Sequence, residues 1–362
     1  MMTEQAYMSD LAIPPGEYLE EVLEEMDITQ AELARRMGRP PQAINEILKG
    51  GKAITPETAL QLEQVVGVSA YFWSSLESEY RLVKAKEADA KKAEGEIEVV
   101  STYPYAEIAK LGLVAKTKKA IEKVRELRKF FGVSSLFHIT AVKAYEPAFR
   151  QSERDSVSHE SLAAWLRAGH ILASKSNMEP FDKTKLQELL PVIRKLTFET
   201  EPGKLLTQLS TMLAECGIAL IVIPHFSKTY TSGATYWMGK HKAVVMMSLR
   251  GSWSDIFWFS LLHEIGHILL HDKRITFLEN GAKNPQYLMQ ESEADVFSQN
   301  TLIPESEYRE FLENGVFTKQ SIRRFSEKVG IFPGIITGRL QHDKKLPQTS
   351  HFHRIRFKWE KA

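Results

Sequence analysis

Residues 257–271 read FWFSLLHEIGHILLH, and the rest of the second half of the chain is best read outward from them. His263 and His267 are four residues apart, so on a helix their imidazoles lie one above the other and can share a divalent cation. Glu264 follows the first histidine directly, where it can reach a water at the metal as general base. The bland reading is a pair of histidines on a polar helix face. It leaves the neighbours unexplained, because Phe257, Trp258, Leu261, Leu262, Ile268 and Leu269 make the helix mostly apolar. Two histidines and a glutamate buried among such residues need partners, since unpaired polar groups are costly to bury.

A third ligand has to come from a later element, leaving the fourth place to water. QESEADVF, residues 290–297, is the candidate. Glu291 and Asp295 are four apart and share a helical face. In zinc proteases with a glutamate ligand, such a pair lets the glutamate bind metal while the aspartate orients a ligand histidine. Glu293 should point away, towards solvent or a neighbouring element, so the expected ligands are His263, His267 and Glu291. His271 continues the same face, but the eight residues from His263 to His271 rise about 12 Å, too far for all three histidines to converge on one ion. Its expected place is a supporting hydrogen bond or a substrate contact. His225 and Tyr236 are candidates for binding substrate or an oxyanion. Cys216 lies at an apolar helix end with no adjacent base and makes a poor nucleophile.

The chain has 362 residues, too many for one ordinary domain. Its hydrophobic fraction of 43% and charged fraction of 26% exclude a wholly disordered or fibrous chain. Lysine plus arginine number 47 against 46 acids, so any nucleic-acid site must be local. One cysteine allows no intrachain disulfide, which suits a reducing compartment. The first ten residues lack the order of a signal peptide, and no apolar run approaches the roughly 20 residues that span a bilayer. The expectation is a cytoplasmic protein without membrane contact. KAKEADAKKAEGE, residues 84–96, reads as a charged linker, an exposed helix or a tether. Helical periodicity marks residues 105–110, 118–131, 161–174 and 256–271. The short β-branched runs 218–223 and 243–249 read as buried strands.

Upstream of the linker the pattern is all helical. Thr29 and Glu32 have the spacing of a capping box, opening a short helix that stops at Gly38. Pro40 and Pro41 then open a second, with Ala43, Ile44, Ile47 and Leu48 at helical spacing. Two short helices about a glycine turn form a helix-turn-helix pattern. Residues 35–52 carry three arginines, including Arg39, and two lysines against one glutamate, while residues 17–27 hold six acids and no base. A positive face toward phosphates follows. Gln42, Asn45, Glu46 and Lys49 are placed for base edges and Gln30 for a phosphate.

Residues 13–80, with Pro15-Gly16, the Ile54-Thr55-Pro56 step and Phe72-Trp73, resemble the HigA-type antitoxin module, a lambda-repressor-like helix-turn-helix domain. The two prolines opening the second helix depart from the usual small hydroxyl residues. The second half is similar to the ImmA/IrrE zinc-dependent metalloendopeptidases in GATYWM (233–238), in residues 257–271, in ESEADVFSQNTLIP (291–304) and in residues 322–343. The resemblance implies a multidomain α+β chain: an all-α DNA-binding domain (1–83), a linker (84–96), a helical connecting region (97–200), a mainly helical zincin-like peptidase domain with a small sheet (201–345) and a tail (346–362). It also implies zinc, with manganese as second choice, operator DNA, a homodimer, and a repressor- or antitoxin-type protein substrate that can be the chain itself. The competing reading is a non-catalytic HigA-type antitoxin and autorepressor that neutralises a toxin and has a structural or sensory metal.

Overall fold

The computed structural model describes residues 12–143, 145, 158–248, 253–271, 277–278 and 285–357. Leu249, the first eleven residues and residues 358–362 of the expected tail lie outside them. The chain divides into two compact units, Met1–Gly95 and Glu96–Ala362.

In the first unit the helices are α1 (Pro15–Glu25), α2 (Gln30–Arg36), α3 (Pro41–Leu48), α4 (Pro56–Val66) and α5 (Ala70–Glu94). Each supplies apolar residues to one core, including Leu19, Leu33, Ile44, Leu62 and Trp73. The Thr29 hydroxyl caps α2 by accepting from the Glu32 amide at 3.2 Å. The Glu32 carboxylate turns forward onto Arg35 and Arg36 at 2.7 and 2.9 Å, so only half of the expected capping box is seen. Pro41 opens α3, where a missing N–H costs nothing. The charged stretch after residue 83 continues α5 as helix to Glu94, as its alanine, lysine and glutamate content favours.

Glu96, the last residue of the expected linker, is buried and begins the second unit. Its carboxylate takes Nε and Nη2 of Arg128 at 3.0 and 2.8 Å, the Ser135 hydroxyl at 2.5 Å and the Leu136 amide at 3.0 Å. This knot ties α6 (Ile97–Val100) and α8 (Ala120–Phe131) to the turn of 3-10 helix at Leu136–Ala141; α7 (Tyr105–Lys110) lies between them in sequence.

A four-stranded sheet of β1 (Ile218–Ile223), β2 (Gly233–Met238), β3 (Lys242–Ser248) and β4 (Phe277–Leu278) organises the rest, in the order β1-β3-β2-β4. β1 and β3 run parallel, and β2 is antiparallel to both β3 and β4. Both faces are covered, which is why β1 and β3 read as unbroken apolar runs. Ala243, Val245 and Met247 join the core with Leu261 and Ile265 of α12 (Ser254–Leu270). Val244 and Met246 point the other way, and Met246 packs against Gly169 of α9 (His159–Ser174). Helices α10 (Lys183–Lys195) and α11 (Pro202–Ala214) precede β1. The region expected only to connect the domains therefore covers one face of the sheet.

After α12 come α13 (Pro285–Leu302), α14 (Glu305–Glu313), α15 (Lys319–Val329) and α16 (Pro333–His342). Residues 346–357, expected as tail, are packed: Thr337 donates to the Phe352 carbonyl at 2.6 Å, and Arg354 grips the buried Asp255 through Nε and Nη2 at 3.0 and 2.8 Å. Among the described residues no helix is long and apolar enough to cross a membrane.

Burial works against charge on Glu96, but the bonds from Arg128, Leu136 and Ser135 outweigh it and hold its carboxyl below the usual range. Its stabilisation is thus present above the unfolded carboxylate range and is lost as pH falls through the lower folded value. Replacing Glu96 by Ala removes the carboxylate of a buried ion pair, and urea unfolding followed by far-ultraviolet dichroism should show a loss of about 3–5 kcal/mol at neutral pH.

Candidate metal centre and DNA-reading helix

Helices α12 and α13 pack antiparallel, so residues one turn apart on one face one another in order on the other. His263 and His267 of α12 meet Glu291 of α13, and ligand atoms of all three lie within 4.8 Å of one another. The two Nε2 atoms are 3.0 Å apart, and each is 3.4 Å from a Glu291 oxygen. Bonds of roughly 2.0–2.2 Å in a tetrahedral site put donors about 3.3–3.5 Å apart, close to these separations. The Oε1 atom of Glu291 is buried and accepts no hydrogen bond of ordinary geometry. Such an acceptor costs free energy unless a cation completes it. The donor set, its spacing and this orphaned oxygen all fit a divalent ion such as zinc.

Electrostatics leads to the same place. Burial opposes charge on His263, but the hydrogen bonds it donates to Asp295 and Glu291 and the nearby Glu264 outweigh it and lift its pKa to about 10. Burial also opposes charge on Glu291, yet the two histidines hold its pKa down at about 2. His267 moves the other way, because burial and the neighbouring cationic His263 disfavour a second proton. A proton is therefore favoured at His263 and disfavoured at His267.

The surrounding bonds fix the imidazoles. Asp295 Oδ1 lies 2.8 Å from His263 Nδ1, which aims Nε2 at the centre. His271 Nδ1 lies 2.9 Å from His267 Nδ1, and its own Nε2 lies 2.9 Å from Glu293. His271 thus sits behind a candidate ligand, and Glu293, turned from the centre onto the neighbouring helix, extends a chain of bonds behind His267. Glu264 is buried, and the Thr235 hydroxyl donates to its Oε2 at 2.5 Å. Thr235 escaped the sequence reading, because β2 was not recognised as a strand and its side-chain alternation was unknown.

That alternation also corrects one expectation. Tyr236 is one residue from Thr235 and so points to the opposite face of the sheet. It stacks on His170 of α9 with ring centroids 6.3 Å apart, and burial pushes its hydroxyl pKa well up. Tyr236 is thus turned away from the centre. His225 is exposed just beyond β1, two strands from β2 in the sheet. Cys216 is buried, and burial raises its pKa, so it stays a thiol.

In the first unit Gln42, Asn45, Glu46 and Lys49 are all exposed along α3 and its end, and Gln42 donates to Glu46 at 3.1 Å. Gln30 is exposed at the start of α2. Arg39 is partly withdrawn: its Nε donates to Gln61 of α4 at 2.6 Å and its Nη2 lies 3.8 Å from Glu57, so the acidic start of α4 competes for its charge.

Residues 19–73 match the helix-turn-helix family, and residues 221–340 match the IrrE N-terminal-like domain of peptidase family M78. An Escherichia coli protein described as the HTH-type transcriptional regulator YddM is 35% identical over 72 residues, 20% of this chain and 77% of that protein. The chain belongs to the helix-turn-helix transcriptional regulators. Virulence-associated protein I of Dichelobacter nodosus is 38% identical over 77 residues, 21% of this chain and 71% of its own. The solved antitoxin HigA of Pseudomonas aeruginosa with the higBA promoter is 38% identical, covering 24% of this chain and 95% of its own at a TM-score of 0.22. In this regulator the DNA-binding module is fused to an IrrE-like metallopeptidase-type domain, which contains the whole cluster described above.

Asp295 touches His263 and no other ligand position among the described contacts. Asp295→Asn in the full-length regulator should weaken zinc affinity about 10–100-fold, measured by competition with a chromophoric chelator, without changing the dichroism spectrum.

Proposed function

We propose that this regulator reads double-stranded operator DNA with the exposed face of α3. We further propose that it hydrolyses a peptide bond in a repressor- or antitoxin-type protein at the His263, His267 and Glu291 centre, acting as a cytoplasmic homodimer. The observation that carries the catalytic half is a buried glutamate held beside a buried metal-type donor set. A purely structural site has no use for Glu264, and burying it without a task is costly.

His263 and His267 would hold the ion through Nε2 and Glu291 through its carboxylate. A divalent cation there, zinc first and manganese second, supplies Lewis acidity that polarises the peptide carbonyl and acidifies a water. Glu264 takes the proton of the attacking water and passes it to the leaving amine nitrogen. Thr235 fixes the orientation of that carboxylate through Oε2, and the apolar walls of α12 limit competing solvent. Asp295 and the His271–Glu293 chain keep the two imidazoles from turning away.

On the DNA side, Asn45 and Gln42 are the side chains offered to base edges, Lys49 adds charge, and Gln30 meets a phosphate. Arg39 contributes after exchanging its Gln61 bond for a phosphate.

Two experiments test the halves separately. Purified wild type and Glu264→Gln should both hold about one zinc per chain by elemental analysis, whereas His263→Ala should lose it. Incubated with candidate repressors, antitoxins and its own chain, Glu264→Gln should cleave at least about 100-fold more slowly than wild type. Equal cleavage by both proteins removes the proposed base, and a zinc-loaded wild type that cleaves nothing favours the antitoxin reading. For DNA, fragments enriched from a random pool by wild type should bind Asn45→Ala about 5–150-fold more weakly in mobility shifts, the equivalent of roughly 1–3 kcal/mol. Unchanged affinity and sequence preference would exclude α3 as the reader.

A further inference from the structure

Many exposed cations of the second unit are matched by an acid. Lys185 faces Glu215, Lys204 faces Glu199, Arg309 faces Glu305 and Lys328 lies between Glu307 and Glu310, all within 3.2 Å. Residues 344–356 differ: they carry Lys344, Lys345, Arg354 and Arg356 and no aspartate or glutamate. Arg354 is committed to the buried Asp255. Lys344, Lys345 and Arg356 are exposed, and among the described residues none of the three has a carboxylate within ion-pair distance. The nearest acid in sequence, Asp343, already accepts from Arg339 and Tyr308 at 2.8 Å each.

One buried side chain organises the stretch. The Nε2 atom of Gln341 lies 2.9, 3.2 and 2.7 Å from the carbonyl oxygens of Pro347, Gln348 and Ser350, and its Oε1 accepts from Arg354 at 2.7 Å. Its own carbonyl takes the Lys344 amide at 3.1 Å, so both ends of the stretch fold about one residue. Trp253 gathers the later charges. The guanidinium groups of Arg354 and Arg356 lie 4.3 and 4.4 Å from its ring centroid, and the His351 ring stacks on it at 5.2 Å. An indole face attracts cations, which offsets their mutual repulsion. Lys319 of α15 joins them: its carbonyl lies 3.1 Å from His353 Nε2, and its ammonium 5.6 Å from the Phe352 ring centroid.

Charge of one sign held together without counter-charge repels itself, and only an anionic partner turns that cost into affinity. Duplex DNA is the polyanion that a helix-turn-helix regulator meets. It carries one negative charge per about 1.7 Å of axis, so it can satisfy several cations without demanding an exact spacing. Lysine meets phosphate as a point charge and arginine as a fork. We propose that Lys319, Lys344, Lys345 and Arg356 form a phosphate-binding surface on the second unit, through which the regulator grips duplex DNA whatever its sequence. The inference rests on the DNA-reading role given to α3. It adds a sequence-independent grip supplied by the peptidase-type unit.

Salt dependence separates this grip from base reading. A labelled duplex of scrambled sequence is titrated with full-length protein between about 50 and 200 mM salt, and binding is followed by fluorescence anisotropy. The triple variant Lys344→Gln/Lys345→Gln/Arg356→Gln, with dichroism matching wild type, should bind more weakly. Its slope of log affinity against log salt should be flatter by about 2–3. Combining the two lysine changes with Arg356→Lys, which keeps that charge, should recover about one unit of slope. The preference for enriched over scrambled DNA should stay as in wild type, whereas Asn45→Ala should alter that preference and keep the slope. An unchanged slope in the folded triple variant overturns the surface and leaves α3 standing. Binding of polyglutamate as tight as that of DNA, lost in the same variant, also overturns it, because the partner is then an acidic protein. A wild type that binds neither enriched nor scrambled duplex removes the DNA reading of α3, and this surface falls with it.

Discussion

Two imidazole nitrogens held 3.0 Å apart, with carboxylate oxygens at 3.4 Å, crowd polar donors into a protein interior, where each needs a partner. One proton can relieve the contact between the nitrogens, but two protons would repel each other across it. The rest of the second unit is arranged so that this contact survives. The apolar residues of α12 bury it, Asp295 and the His271–Glu293 chain stop the rings from rotating, and the antiparallel partner helix brings the acid. A structure under no functional demand would let the histidines swing apart to solvent. Here they are almost fully covered, at 7% and 2% exposure.

Much of this was legible in the sequence because α-helical periodicity is a local property. His263, His267, Glu291 and Asp295 are each read from spacings of four within a single helix, and their faces follow without knowledge of the tertiary fold. The distance between α12 and α13 is not a local property, yet the polar residues on each apolar helix announce a partner. The module of α1–α5 was legible for the same reason, since Thr29, Thr55 and the apolar repeat mark its helices directly.

What failed to be read depends on pairing between distant segments. Nothing in GATYWM says that it lies antiparallel to β3, so the opposite facing of Thr235 and Tyr236 could not be derived. Tyr236 was therefore expected at the chemistry and Thr235 was missed. The linker reading of residues 84–96 failed at its last position for a similar reason. Glu96 looks like the neighbouring acids in sequence, and only Arg128, 32 residues later, makes it an anchor. Residues 346–357 have no strong period of their own; their order comes from Thr337, Gln341 and Asp255, which bind their carbonyls and Arg354.

Two glycines explain why side chains with the right chemistry reach one another at all. A Cβ on Gly266 would stand 3.0 Å from the Phe297 ring and 3.3 Å from the Ala294 backbone, so a larger residue would need those neighbours to give by a few tenths of an ångström. The separation of His263 and His267 from Glu291 is set by that close approach, since all three project from the same two helices. On the other side, a Cβ on Gly233 would fall 2.3 Å from Glu264 Oε1. Neither the Glu264 side chain nor the strand backbone has room to yield, because Thr235 in the same strand is bonded to the same carboxylate. The two middle positions of HEIGH are thus not interchangeable spacers. Ile265 joins the core beneath the helix, whereas Gly266 faces the partner helix and must stay small for the donors to meet. The same reasoning separates chemistry from placement: histidine and glutamate supply the donor atoms, and the absent side chains of Gly266 and Gly233 determine how closely those atoms converge.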